Sequence, residues 1–461
     1  MGGSSSKKFH PSRQITITNG RIIGRRLVND DDKSVDAFQG IPFAKPPIGQ
    51  LRFKKPEPPD SWEGIKECTK FGPKGIQKPM LMERFERNNC SEDNLYLNVF
   101  TPCWNPPEGT LFPVMLFIHG GGFVCDSSQK YGDESICKYL VTKDVVVVTV
   151  QYRLGFLGFW TTGDNACTDN LALWDMRQSL LWVNENIQAF NGDKDNVTLF
   201  GQSAGGASVD LLSLSPHTRD LFHKVIPMAG NASAPWAIHR NGEEACREFA
   251  RSKMKIEETG TSEEIAPRMD GQFFPSSLEE LRKEAGVKPR MVGCCQYEGL
   301  FLILRDKKTN RERFELIVDG FISEDVPEFK KKRQEMVDLY LNEEKDKVKA
   351  LAEIFSDIFL NIWCQKYVNE WLDVGQDQIF FYSYDYFNPK CYGLLSWLFP
   401  FLGASHCVDI TYVVASPITW PFTFTEKDIQ MIHKTTAGWT NFANSLGCSY
   451  KGESSETSMY Q

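Results

Sequence analysis

The chain has 461 residues, 41% of them hydrophobic, enough for one large α/β domain or two to three ordinary ones. Its formal net charge of -8, from 52 Lys+Arg against 60 Asp+Glu, argues against a nucleic-acid partner, which would need a concentrated positive field. No apolar run reaches the ~18 residues of a membrane span and the N-terminal segment lacks the apolar core of a secretory signal, so the chain reads as neither membrane-spanning nor secreted.

The first residues, MGGSSSKK, match M-G-x-x-x-[ST], with Gly2 exposed once Met1 is removed and Ser6 in place. Residues 1–13 are therefore expected to be a flexible tail carrying a candidate N-myristoylation signal at Gly2. One myristoyl chain binds membranes only marginally, with an association constant on the order of 10⁴ M⁻¹; Lys7, Lys8 and Arg13 would add about 1 kcal/mol each near an anionic leaflet. The expectation is a cytoplasmic protein attached reversibly to the cytoplasmic face of a membrane. No internal repeat or Pro/Ser/Gly linker divides residues 14–461, which read as a single domain.

Residues 14–28 alternate apolar and polar around Asn19-Gly20, the signal of a β-hairpin. Short β-branched or aromatic runs follow at 95–100, 113–118, 145–152 and 196–200; the last three have no polar face, as in strands buried at the centre of a sheet. Between them, Leu173, Met176, Leu180, Leu181 and Val183 recur at helical spacing. Strands alternating with helices predict a largely parallel or mixed sheet covered on both faces. Residues 311–375 are charged and helical in pattern, with Ala350, Leu351, Ile354, Phe355, Ile358 and Phe359 as one apolar stripe, and a strand is predicted at 378–386.

The chemistry is carried by 196–206, NVTLFGQSAGG, in which a buried strand runs into G-x-S-x-G. In this pattern Ser203 sits on a sharp strand-to-helix turn that only small neighbours permit, with its hydroxyl exposed at the carboxyl end of the sheet. A second buried strand, PVMLFI, leads into His119-Gly120-Gly121-Gly122, the oxyanion-loop pattern of lipases and esterases. The N–H groups of Gly121, Gly122 and Ala204 are the candidate oxyanion donors. The base and its orienting acid should follow in the order Ser, acid, His. Of seven histidines, His406 and His433 lie late enough; His433 falls within a helical pattern that a polar surface residue explains, so His406 is favoured. Glu298 follows a short apolar strand and precedes a glycine, a suitable place for the acid. The scattered Cys residues, thirteen in all, offer no zinc-ligand spacing, and no metal or cofactor is expected.

These motifs, with FQGIPFAKPPIGQLRFKKP (38–56), SEDNLYLNVF (91–100), VQYRLGFLGF, APWA, DGQFFP, YEG, GASHCVD and WTNFA (439–443), make the sequence resemble the type-B carboxylesterase and cholinesterase family of α/β-hydrolases. The resemblance implies a central, mostly parallel twisted sheet with helices on both faces. It also implies a Ser203–Glu298–His406 triad, an oxyanion hole from Gly121, Gly122 and Ala204, and a small-molecule ester as substrate. Arg52 with Glu92, and Arg153 with Asp175, match structural ion pairs of the family.

Four departures bear on function. Gln202 stands before the nucleophile where cholinesterases carry Glu, and no Trp lies between Gly75 and Asn94, where they place a choline-binding ring; both argue against cationic substrates. The family's first disulfide loses both partners, as Gly75 and Asn94, which leaves Cys68 and Cys90 as a nearby alternative pair but fits a reducing compartment better. The chain is also short around 252–268 and, after WTNFA, lacks the family's usual final strand and helix. An esterase is thus expected; the rival is a non-catalytic, neuroligin-like adhesion or scaffold protein, or an inactive truncated isoform.

Overall fold

Val114, Leu116 and Ile118 pack into one apolar cluster and Met115 and Phe117 into another, so a single strand supplies both sides of the molecule's core. The neighbouring strand repeats the pattern, Val146, Val148 and Val150 against Val147. Alternating side chains point to opposite faces, and a strand apolar on both demands cover on both. In the computed structural model the described residues are 10–28, 33–78, 89–164, 166–239, 241–254, 265–306, 308–321, 325–341, 346–444 and 457–460.

The sheet has twelve strands: β1 (His10–Ile17), β2 (Gly20–Val28), β3 (Ser34–Pro42), β4 (Ile65–Glu67), β5 (Tyr96–Pro102), β6 (Phe112–Ile118), β7 (Val146–Val150), β8 (Gly192–Gln202), β9 (Lys224–Met228), β10 (Arg290–Cys295), β11 (Ile379–Tyr384) and β12 (Thr457–Tyr460). Their spatial order is β1-β2-β3-β5-β7-β6-β8-β9-β10-β11-β12, with β4 beside β2. From β7 to β11 neighbours run parallel, while the β1-β2-β3-β5-β7 run and the β11–β12 edge are antiparallel and β4 lies parallel to β2. Helices α1 (Leu171–Asn186) and α2 (Ala204–Leu214) pack on one face and α3 (Glu426–Asn444) on the other. A third, helical cluster centres on Phe314, Val318, Val337, Leu351 and Ile354.

The first strand begins at His10, not after residue 13, and its register shifts between Pro11 and Gln14. Arg13 is correspondingly no tail cation: its guanidinium donates to the Pro102 carbonyl at 3.1 Å and lies 3.7 Å from Asp36. Gly2, Lys7 and Lys8 lie outside the described residues, as does most of 252–268. At the other end, β12 pairs antiparallel with β11, so the chain does carry a final edge strand where none was expected. Cys68 and Cys90 are both free thiols, not a bridge. Among the described residues no helix is long and apolar enough to cross a membrane.

Candidate active site

Ser203 joins β8 to α2 with φ 60° and ψ −126°, a backbone conformation rarely tolerated by a side chain and worth about 1–3 kcal/mol of strain. The turn is over-determined by its surroundings. Ser203 N–H donates to the Met228 carbonyl at 2.8 Å, and Ala207 N–H to the Ser203 carbonyl at 2.9 Å. A Cβ at Gly205 would overlap the Ile118 carbonyl, and one at Gly201 would come 2.5 Å from the Gly205 carbonyl oxygen. The glycines of G-x-S-x-G are thus required by close backbone approach.

The loop after β6 lies against this turn, for a Cβ at Gly120 would stand 3.2 Å from that of Ser203. Gly121 has φ 94° and Gly122 φ 59°. The Gly121 carbonyl accepts from the N–H groups of Val124 and Cys125 at 3.0 and 3.1 Å and from the Cys125 thiol at 3.3 Å. Because the peptide is planar and trans, fixing that carbonyl also fixes the direction of the Gly122 N–H, opposite to it. Ala204 N–H belongs to the first turn of α2 and has no intrahelical acceptor. His119 braces the loop, its ring stacked on Tyr152 at 4.4 Å while the Tyr152 hydroxyl donates to the His119 carbonyl at 2.7 Å.

Glu298 and His406 are brought in by loops joined through a Tyr297 N–H to Ala404 carbonyl bond of 2.8 Å. The Glu298 carboxylate is fully buried; Oε1 accepts from Cys295 N–H at 2.6 Å and Oε2 lies 2.6 Å from His406 Nδ1. The Nδ1 proton therefore faces the carboxylate, which leaves Nε2 as an acceptor 2.8 Å from Ser203 Oγ. Burial alone would lower the His406 pKa; Cys407 and Glu298 beside it override this and hold it well above the ordinary imidazole value. His433 lies elsewhere, on α3 with its ring against Tyr139.

Three aromatic side chains that sequence reasoning did not assign to the site line it. Phe301 stacks on His406 at 5.5 Å, Phe359 meets the same ring edge-on at 5.5 Å, and Trp236 stacks on Phe359 at 5.7 Å. In the sequence Phe359 belongs to the apolar stripe that begins at Ala350. The stripe is interrupted at Asp357–Asn361, where the helix widens to π geometry and re-aims Phe359 toward the imidazole. The residue pairs Arg52–Glu92 and Arg153–Asp175 both form, at 2.5 Å and 2.7 Å, and neither contacts the Ser203 cluster.

An open α/β sheet with a serine on its central strand-to-helix turn, an imidazole and a carboxylate in a hydrogen-bonded row defines the α/β-hydrolase class. The sequence comparisons narrow this. The family model described as "Carboxylesterase family" matches residues 11–263 and 252–454. Esterase cest-33 of Caenorhabditis elegans is 38% identical over 93% of this chain and 85% of its own length. Human carboxylesterase 3 is 32% identical over 93% and 82%, and juvenile hormone esterase of Tribolium castaneum 32% identical over 94% and 84%. The chain belongs to the carboxylesterase family and is a carboxylic ester hydrolase.

Proposed function

We propose that the protein cleaves uncharged carboxylic esters through an acyl-enzyme on Ser203. The observation that carries this reading is the unbroken row Ser203 Oγ, His406 Nε2, His406 Nδ1, Glu298 Oε2, with bonds of 2.8 and 2.6 Å. His406 takes the hydroxyl proton as Ser203 attacks the ester carbonyl, then gives it to the departing alcohol; water repeats the cycle on the acyl-enzyme. Glu298 keeps the imidazole in the required tautomer and stabilises its cation. The N–H groups of Gly121, Gly122 and Ala204 receive the oxyanion, a role worth about 2.7–4 kcal/mol per donor.

A neutral substrate is supported by the neutral Gln202 beside the serine, and the aromatic wall of Phe301, Phe359 and Trp236 offers apolar surface to its acyl or alcohol group. The decisive experiment is hydrolysis of p-nitrophenyl acetate together with organophosphate labelling located by mass spectrometry. Turnover with the label on Ser203, both lost in Ser203→Ala, is expected; an unlabelled Ser203 in folded protein overturns the proposal. On sequence grounds we further propose acylation at Gly2, with Lys7 and Lys8 assisting a reversible cytoplasmic-face attachment. The intact mass of protein from its native cell tests this, an unmodified Gly2 being the contrary result.

A further inference from the structure

The run from Leu394 to Leu402, LLSWLFPFL, is apolar but for Ser396, yet the core takes only part of it. Phe399 packs on Tyr392 at 4.5 Å and Phe401 on Tyr297 at 5.1 Å, whereas Leu394 stays 74% and Trp397 63% exposed. Leu302 and Leu304 are exposed as well. The two stretches are joined, for Arg305 N–H donates to the Leu398 carbonyl at 2.6 Å and the Arg305 guanidinium lies over the Trp397 ring at 5.6 Å. Large apolar side chains left together in water mark an interaction surface.

Both stretches lead into the site. The helical turns Glu298–Ile303 carry Glu298 inward and place the Phe301 ring on His406, one residue before Leu302 turns outward. The helical turns Pro389–Leu398 are tied by the Tyr392 hydroxyl to the Gly403 carbonyl, on the loop that delivers His406. Cations rim the patch. Arg305 stands over Trp397, Lys349 lies 5.9 Å from the Phe401 ring, and Lys390 opens the second stretch; all three are exposed. Asp306, the carboxylate next to Arg305, is taken up by Arg313 at 2.6 Å. An apolar tip holding an amphipathic Trp within a basic rim matches the boundary between acyl chains and anionic headgroups. Resting on the proposed cleavage of uncharged esters at Ser203, we propose that Leu302, Leu304, Leu394 and Trp397 dock the enzyme on an anionic lipid surface, and that its substrates are esters dissolved in that lipid. The docking needs no acyl group at Gly2; the two together supply the pair of signals that stable attachment requires.

The test uses the full chain as Gly2→Ala, which cannot be acylated at that residue, with vesicles of phosphatidylcholine alone or mixed with phosphatidylserine. Co-sedimentation with the mixed vesicles is expected, and Leu394→Ser combined with Trp397→Ser should weaken it at least about tenfold. Arg305→Gln combined with Lys349→Gln should abolish the preference for the mixed vesicles. Hydrolysis of soluble p-nitrophenyl acetate should be unchanged in these variants, while that of p-nitrophenyl palmitate carried in the mixed vesicles should fall with binding. Vesicle binding absent from Gly2→Ala overturns the proposal, as does equal binding or equal palmitate hydrolysis after the two serine substitutions. A sedimentation coefficient that drops on those substitutions also overturns it, since a second copy of the chain would then cover the patch. Folded protein inactive on p-nitrophenyl acetate would instead refute the role of Ser203, and vesicle binding would still decide the docking surface.

Discussion

Glu298 and His406, 108 residues apart in the chain, meet through a hydrogen bond of 2.6 Å between a fully buried carboxylate and Nδ1 of the imidazole. The contact fixes the tautomer, places a negative charge behind the ring, and leaves Nε2 free to face Ser203.

From this follows the sign of the pH dependence. A general base works only when unprotonated, and His406 is held well above the ordinary imidazole value of 6.5. Log kcat/KM should fall as pH is lowered, with a midpoint above 6.5. In Glu298→Gln the midpoint should move down, because the stabilising charge is gone, while the plateau drops by a factor on the order of 10⁴ as the tautomer is lost. Stopped-flow or steady-state profiles of the two proteins check both statements.

The oxyanion loop yields a sharper structural prediction. At Gly121 φ is 94° and a Cβ would overlap the Cys125 carbonyl, so Gly121→Ala must shift the loop. Since the Gly121 carbonyl sets the direction of the Gly122 N–H, the expected result is a fall in kcat of about 10²–10³ with the substrate KM little changed. A variant with wild-type kcat would show that this loop does not hold the oxyanion.

Much of this arrangement was legible because backbone geometry restricts residue type. The strand-to-helix turn around Ser203 admits only glycine at 201 and 205, and the two-faced strands β6 and β7 have no polar side to hide. What could not be read locally were long-range partners and changes of period. Glu298 and His406 are paired only by the fold; chain order and local context single them out as candidates, and the family resemblance implies the triad. Phe359 reads as one more member of an apolar helical stripe, and the π turn at Asp357–Asn361 that brings its ring to His406 leaves no mark in the helical period. Pro11 and the shifted register beside it disguised the start of β1, and β12 depends on backbone pairing with β11, for which Thr457–Tyr460 carries no apolar run.

The two ion pairs should differ in worth. Arg153 and Asp175 are almost fully buried, and the same guanidinium also donates to the Lys54 carbonyl at 2.9 Å. Arg153→Ala leaves Asp175 without its charge partner and should cost about 3–5 kcal/mol in urea denaturation. Arg52, nearly half exposed, should cost at most about 1 kcal/mol when replaced by Ala, since solvent screens its pair with Glu92. Equal losses in the two variants would contradict this ranking.

Asp409 links the site to stability. It is buried, accepts from the Tyr382 hydroxyl at 3.1 Å and from Ile410 N–H at 2.8 Å, and sits near Glu298. Burial first, and the Glu298 charge second, raise its pKa from 3.8 to about 7. The folded chain therefore binds this proton more tightly than the unfolded chain does. The stabilisation is complete below the unfolded value and is lost as pH rises to about 7, at roughly 1.4 kcal/mol per unit across that interval. Asp409→Asn cannot ionise, so relative to wild type it should gain stability between about pH 4 and pH 7 and keep a constant advantage above. Urea unfolding of both proteins across this range measures the difference directly, and a difference that does not vary with pH would mean that Asp409 is ionised in the native protein throughout.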